Sequence, residues 1–564
     1  MAKKFTGPSS KQSEDIQTAR IPVIGDMFFR GTSASKDQRF VNGFFEVSKN
    51  AETQKTHYFF CKRPGLTQTG GIRPPAGNAT GRGCYSWNDK LYSVCGTKIY
   101  SGTTDLGVTL KTSTGICGFA ETRLGITTQY LGINDGINIY LISLVDAVTT
   151  ISVKSATVTI TIASPGVVSW SSHALLAGMP VVFNTTGALP TGIVAGTTYY
   201  VLAAGLTANV FEIAATPGGT AINTSGSQSG THTATLPTTR DLVYMDGYFF
   251  TLRSDCVLVN CAVDDPTTWA AASFLTAQMY GGTGVGIARQ NNLMVVFMNR
   301  SVQFFYDAAN TAGSPLSNVE QAVQQLGCAA RGSIVKDEGS IIWVTNSDTG
   351  GHTIYKMDGV TAVKEIASLE LQRILNGEGT AISSANAFSL RTVGKLLYVL
   401  SLTTAGRTFV FDHDTELWTE WEAAAGGAVW PIVSIIEHAN AAICQHATNG
   451  WLYVLSPTVY QDDSTNFTVL TRFSRMDFDT MRWKFCKRLD LIGDVQASTT
   501  NVSLQYSDDD YVTLSTARTL DMANAQCFCT NLGRFQRRAF QLSFAGNNPF
   551  RVEAIELRVR MGDS

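Results

Sequence analysis

Short apolar runs and tight polar turns alternate along most of this chain. Six runs stop at a turn and restart at once: Cys84 to Val94 around Asn88-Asp89, Leu242 to Leu252 around Asp246-Gly247, Gly286 to Met298 around Asn291-Asn292, Ser333 to Val344 around Glu338-Gly339, Ser389 to Leu400 around Gly394-Lys395, and Ser434 to Cys444 around Asn440. Asn, Asp and Gly tolerate positive φ or bond their own backbone, so each unit predicts a β-hairpin. From Asp246 through Asn291, Glu338 and Gly394 to Asn440 the turns recur at intervals of about 45 to 56 residues, a period that points to a β-propeller. A second pattern, an Asp/Thr turn shortly before a Trp, runs through Asp264 to Trp269, Asp412 to Trp418 and Asp477 to Trp483. There the polar side chains would satisfy turn N–H groups and the Trp would pack one sheet on the next.

Between about Thr150 and Pro237 the texture changes to Thr, Ala and Gly with almost no charge. Short strand-like pieces around Val181-Val182-Phe183, Tyr199-Tyr200-Val201 and Val210-Phe211-Glu212-Ile213 predict a small β module inserted in a propeller loop, where length is tolerated. The expected organisation is all-β: a flexible segment over 1–20, a propeller of six to eight blades over 21–149 and 238–475, the inserted module over 150–237, and a C-terminal β platform over 476–564.

Composition agrees with this pattern. The 564 residues include 51 Gly, and only 16% are charged, which suits a turn-rich β protein and excludes a disordered one. A net charge of −2 gives no overall attraction to nucleic acid or anionic membrane. Met1 to Arg20 lacks the apolar run of a secretory signal and no stretch approaches twenty uncharged apolar residues, so synthesis in a cytoplasm without a membrane anchor is expected. The eleven cysteines lie mostly singly in apolar strands and read as buried thiols. Cys527-Phe528-Cys529 is the nearest approach to a metal pair, without a second Cys or His pair to complete it.

Three regions carry a family resemblance. They are Ile21-Pro22-Val23 with Asp37 to Glu46 and Pro64-Gly65-Leu66; the run from Val243 to Phe249 through Asp265 to Trp269, Ser301 to Tyr306 and Leu326 to Ile334; and Leu532 to Leu542 with Asn548-Pro549-Phe550-Arg551. In order and rough spacing these resemble the packaged-DNA stabilisation, or tail-nozzle, proteins of short-tailed bacteriophages. The resemblance implies a structural virion protein with no cofactor. It would assemble as a homohexamer below the portal and tail adaptor, contact tail fibres or tip proteins, and extend the channel that retains the genome and passes it during ejection. DNA would then travel without sequence-specific binding, and a nearly neutral chain suits a conduit that must not grip a polyanion.

Basic residues concentrate at two places. Arg472, Arg475, Arg482, Lys484, Lys487 and Arg488 fall within seventeen residues, and Arg534, Arg537 and Arg538 follow near the end. Solvated strand faces are one reading; a subunit or adaptor interface, with Arg forks on a neighbour's carboxylates, is the other.

An enzyme finds little support. Ser507 to Tyr511 resembles the Asp-box turn of sialidase propellers, which is structural, and His413 between Asp412 and Asp414 already belongs to an Asp/Thr turn. No HExxH, phosphate loop or nucleophile elbow occurs. The remaining alternative is a receptor-binding or glycan-depolymerising tail propeller, which would need a carboxylate pair across a groove.

Overall fold

The computed structural model describes residues 16–24, 38–49, 56–68 and 79–562, apart from 126–127, 153–154, 174, 271, 348–349 and 360–361. The chain divides into two compact units. A propeller unit takes residues 68–408 and 429–455; a sandwich unit takes the described residues up to 67 together with 409–428 and 456–562. Among the described residues no helix is long and apolar enough to cross a membrane.

In the propeller unit, blade 1 comprises Gly81–Trp87, Lys90–Cys95, Lys98–Ser101 and Thr104–Thr109, and blade 2 comprises Gly118–Glu121, Tyr130–Asn134, Asn138–Ser143 and Val148–Ser152. Blade 3 spans Val243–Met245 to Phe274–Thr276, blade 4 spans Gly284–Gln290 to Leu316–Asn318, and blade 5 is built on Val335–Asp337, Ser340–Asn346, Ile354–Asp358 and Ala362–Glu365. Asn386–Thr392 with Lys395–Leu402 opens blade 6, and Ile432–His438, Ala441–His446 and Leu452–Ser456 make blade 7. The first strands touch in chain order, and that of blade 7 returns to blade 1, which closes the ring within the expected range of six to eight blades.

Alternation explains the packing. In Leu293–Met298 every side chain is buried, because Met294, Val296 and Met298 face blade 3 while Leu293, Val295 and Phe297 face blade 5. Ring closure is polar: Gln445 accepts from the Gly83 N–H at 2.7 Å and donates to the Val94 carbonyl at 3.0 Å, and Ser86 bonds His438 at 2.9 Å.

The six expected hairpins are all present, with positive φ at Asn88, Asp89, Asp246, Asn291, Glu338 and Asn440. One slips by a residue. The turn read as Gly394-Lys395 is Val393-Gly394, since Lys395 pairs with Thr392, and Val393 takes a φ of 51° unusual for a β-branched residue. Trp269 behaves as its pattern predicts and packs with Leu141 and Phe249 between blades 2 and 3. Trp483 does not; it lies in the sandwich unit and carries the guanidinium of Arg534 at 4.7 Å.

Between blades 2 and 3, six strands from Ser155–Ile160 to His232–Thr235 close into a barrel around Val158, Val168, Phe183, Tyr199, Phe211 and Ile213.

The sandwich unit pairs two sheets over one core. One sheet runs Gly43–Lys49, Thr56–Lys62, Arg551–Met561, Lys484–Gly493 and Phe528–Thr530, with Ile16–Pro22 alongside Arg551–Met561. The other contains Leu417–Trp421, Phe40–Val41, Thr468–Arg472, Ala539–Ala545, Asn501–Ser507 and Arg518–Asp521. Phe45, Phe60, Phe467, Leu489, Leu542, Ile555 and Leu557 fill the space between them. Two expectations change here. Ile16–Arg20, read as part of a flexible segment, are strand, paired in register with Arg560 to Glu556, while 1–15 lie outside the described residues. The strands Gly43–Lys49 and Thr56–Lys62, read as the start of the propeller, and Thr468–Arg472, read as its end, belong to the sandwich because their sheet partners include strands from the far end of the chain.

Arg63 and Lys62 sit in that core. Arg63 is fully buried; it donates to both Asp462 oxygens at 2.9 and 2.6 Å, to Asn42 at 3.0 Å and to the Glu422 carbonyl at 3.2 Å, and lies on the Phe467 ring. Lys62 donates to the Gly546 carbonyl at 2.5 Å beside the rings of Phe467 and Phe544, and burial holds its ammonium down at about 7.

Two outcomes are expected. Arg63→Ala leaves the largely buried Asp462 without this partner and should cost about 3–5 kcal/mol in urea unfolding. For Lys62, the unfolded chain retains its proton above pH 7 while the folded chain has released it, so its contribution to stability rises with pH. The stability of the wild type relative to Lys62→Met should therefore increase between pH 7 and 9, by up to about 1.4 kcal/mol per pH unit; a pH-independent difference would overturn this.

Candidate functional site

All nine basic residues singled out in the sequence lie in the sandwich unit, and the structure sorts them into two groups. Lys484 is buried and donates to the backbone carbonyls of Thr480 and Gln536. Arg538, 2% exposed, forks onto Asp508 with both contacts at 2.7 Å, donates to the Leu532 carbonyl and stacks on Tyr506 at 3.8 Å. Arg472 bonds Gln541 at 2.9 Å and lies over Tyr511 at 4.8 Å, and burial lowers its pKa. These three act inside the fold.

The others reach the surface. Arg475 and Arg537 converge on Asp510 at 3.5 and 3.4 Å from strand-flanking loops. Arg482 donates to the Gly562 carbonyl at 2.6 Å, and Lys487 is exposed. Arg488 forks onto Asp490 and lies over Phe528 at 3.9 Å, and its hydrogen bonds to Asp490 raise its pKa. Register sets them side by side: Arg534 and Arg560 both pair with Phe485 from opposite sides, and Arg488 pairs with Arg558. Sheet pairing therefore gathers Arg488, Arg534, Arg558 and Arg560 into one patch, with aromatic rings under three of the guanidiniums. A guanidinium held flat on a ring presents its N–H edge outward, ready for a carboxylate fork.

Sequence reasoning missed the partner of this cluster. Ser507 to Tyr511 is a turn, as expected of an Asp-box-like tract: Asp509 accepts from the Thr513 hydroxyl and amide and from the Ser507 hydroxyl, bonds that hold its carboxyl at about 2. Its neighbours Asp508 and Asp510, however, bind Arg538, Arg475 and Arg537. The three consecutive acids were the available signal.

The propeller unit has its own charged centre. Arg331, just before blade 5, donates to Asp241 at 2.8 Å and to the carbonyls of Ile116 and Arg240 at 3.3 Å, residues that precede blades 2 and 3. Asp241 also accepts from Ile287 of blade 4 at 3.1 Å; burial raises its pKa and Arg331 opposes that shift. Since blades 2 and 5 are not adjacent, this side chain lies across the mouth of the ring. A cleft of about 500 Å³ opens between the first strands of blades 5, 6 and 7. Of its three acids, Glu338 is engaged on Arg391 and Asp337 accepts from Ser389, while Glu437 also lines it. Nine of the eleven cysteines are buried, and burial pushes the thiols of Cys527 and Cys529 up. Among the described residues no group of three or more His, Cys, Asp or Glu could hold a metal ion.

Comparison with known proteins adds the following. No curated protein matches the chain. Among solved structures, BamB from Moraxella catarrhalis is 10% identical over 70% of this chain and 97% of its own, at a TM-score of 0.30. The N-terminal domain of Nup159 is 10% identical over 73% and 97%, at 0.32, and virginiamycin B lyase from Staphylococcus aureus is 9% identical over 60% and 94%, at 0.28. At such scores these likenesses carry no argument. The family model described as Phage_stabilise, bacteriophage P22 Gp10, beta-propeller, matches residues 28–460. With most of its length under that match, the chain belongs to the β-propeller family of bacteriophage P22 Gp10.

Proposed function

We propose that this protein is the nozzle or hub of a short phage tail, a structural part that extends the DNA channel below portal and adaptor, retains the genome and lets it pass during ejection. The family match over residues 28–460 carries this reading. The Arg331 bridge supports one feature of it: a duplex cannot thread a ring whose mouth is crossed by a bonded guanidinium, so the conduit must be enclosed between copies, in keeping with a hexamer. The cationic patch of the sandwich unit is the surface proposed to meet a neighbouring subunit or the adaptor ring. Of the nine basic residues, Arg475, Arg482, Lys487, Arg488, Arg534 and Arg537 are the ones proposed to take part, a reading supported by their reaching the surface. The Ser155–Thr235 barrel is proposed to be a self-contained insertion.

Changing Arg482, Arg534 and Arg537 together to Ser should alter stability by no more than about 1 kcal/mol, as at ordinary surface sites. Assembly onto a purified portal–adaptor complex, followed by light scattering and negative-stain imaging, should fall at least tenfold. Arg538→Ala should instead destabilise the chain itself by about 1–3 kcal/mol, because the Leu532 carbonyl loses its donor while the half-exposed Asp508 is rehydrated. A triple variant that assembles like the parent would refute the interface role. Replacing 153–236 by a Gly/Ser linker should leave the rest of the chain soluble and cooperatively folded, since closure entropy grows only logarithmically with loop length; loss of soluble expression would show that the barrel is integral to the propeller.

A further inference from the structure

The cleft between blades 5, 6 and 7 has a local cause in the register of the blades. In six hairpins the second residue after the turn pairs back onto the first strand of its blade. It is Leu91, Phe249, Met294, Ile341 and Leu396 in blades 1, 3, 4, 5 and 6, but Ala442, opposite Glu437, in blade 7. A methyl group where the other blades place a large apolar side chain leaves space unfilled, and Ala442 lines the cleft of about 500 Å³. That volume falls within the roughly 300–1,000 Å³ of small-ligand sites.

Side-chain bonds hold its walls. Asp337 and Glu338 of blade 5 are joined to Ser389 and Arg391 of blade 6, and Asn386 of blade 6 donates to the Val433 carbonyl of blade 7 at 2.9 Å. Two charges are not spent in this way. Lys336 of blade 5 and Glu437 of blade 7 both line the cleft and are exposed, and among the described residues no hydrogen bond or ion pair engages the Lys336 ammonium or the Glu437 carboxylate. The apolar Leu390, Leu396 and Ile435 line the same space. A purely cationic ligand would meet Lys336 there, and a purely anionic one would meet Glu437 and Asp337. A ligand carrying both charges on an aliphatic body complements all of these groups.

We propose that this cleft binds a small zwitterion of short-peptide type, its ammonium on Glu437, its carboxylate on Lys336 and its aliphatic part against Leu390, Leu396 and Ile435. The site lies within the propeller unit and shares no residue with the arginine patch of the sandwich unit. It can therefore fail while the proposed tail role stands.

The test titrates the full-length chain with the zwitterionic peptide Gly-Leu-Gly, followed by ligand-observed NMR. Its N-acetylated form, which lacks the ammonium, and its C-terminal amide, which lacks the carboxylate, are titrated beside it. The free peptide should bind saturably, and each capped form should bind about fivefold more weakly, the effect of one partly solvated ion pair. Glu437→Gln should weaken the free peptide by the same factor and leave the acetylated form unchanged; Lys336→Met should weaken the free peptide and leave the amide unchanged. Ala442→Leu, which supplies the side chain that the other blades carry, should abolish binding without lowering the thermal melt. The two charge variants sit at exposed positions and carry the test should Ala442→Leu melt early. No saturable binding up to the solubility limit of the peptide, capped forms that bind like the free one, or a folded Ala442→Leu that binds like the parent would each overturn the proposal.

Discussion

The sandwich unit is made of three separate stretches of chain, and Arg63 is the side chain on which they meet. It comes from the first stretch, donates to the Glu422 carbonyl of the second and forks onto Asp462 of the third. A fully buried guanidinium without such partners would carry a large desolvation penalty, so the three stretches are constrained to arrive together. The Phe467 ring beneath it and the neighbouring Lys62 extend the same arrangement into the apolar core.

The propeller unit solves its closure differently. Each blade is flanked on both faces by its neighbours, so strands such as Leu293–Met298 need no polar face at all. Specificity then falls to the few polar groups at strand ends. Gln445 ties blade 7 to blade 1, and Arg331 ties the beginnings of blades 2, 3 and 5 together across the opening. A ring fastened across its mouth is a rigid support, and under the proposed function it leaves the conduit to the space between subunits.

The arginine cluster shows how one composition serves two ends. Residues 537 and 538 are adjacent, yet Arg538 is buried on Asp508 while Arg537 remains at the surface on Asp510. Arg537 lies in the bend before Ala539–Ala545 whereas Arg538 is bridged to Met476, so the local backbone aims the two side chains differently and burial makes only Arg538 structural. The surface members are held on aromatic rings and carboxylates, which lowers the entropy lost when they meet a partner.

Much of this protein was determined by local sequence. Paired positive-φ residues such as Asn88-Asp89 specify hairpins whatever surrounds them, and apolar runs of strand length specify buried β-structure, so the all-β class and the repeat were legible. The near-absence of charge between Ser155 and Pro237 likewise set off the barrel from its surroundings. Where partners lie hundreds of residues apart, local pattern carries no register. Thr56–Lys62 looks like any strand of the series, and only its pairing with Arg551 and Val552 puts it in the sandwich. The fate of each arginine was decided in the same way, because Asp508 and Asp510 reach Arg538, Arg475 and Arg537 only once the sheets are assembled.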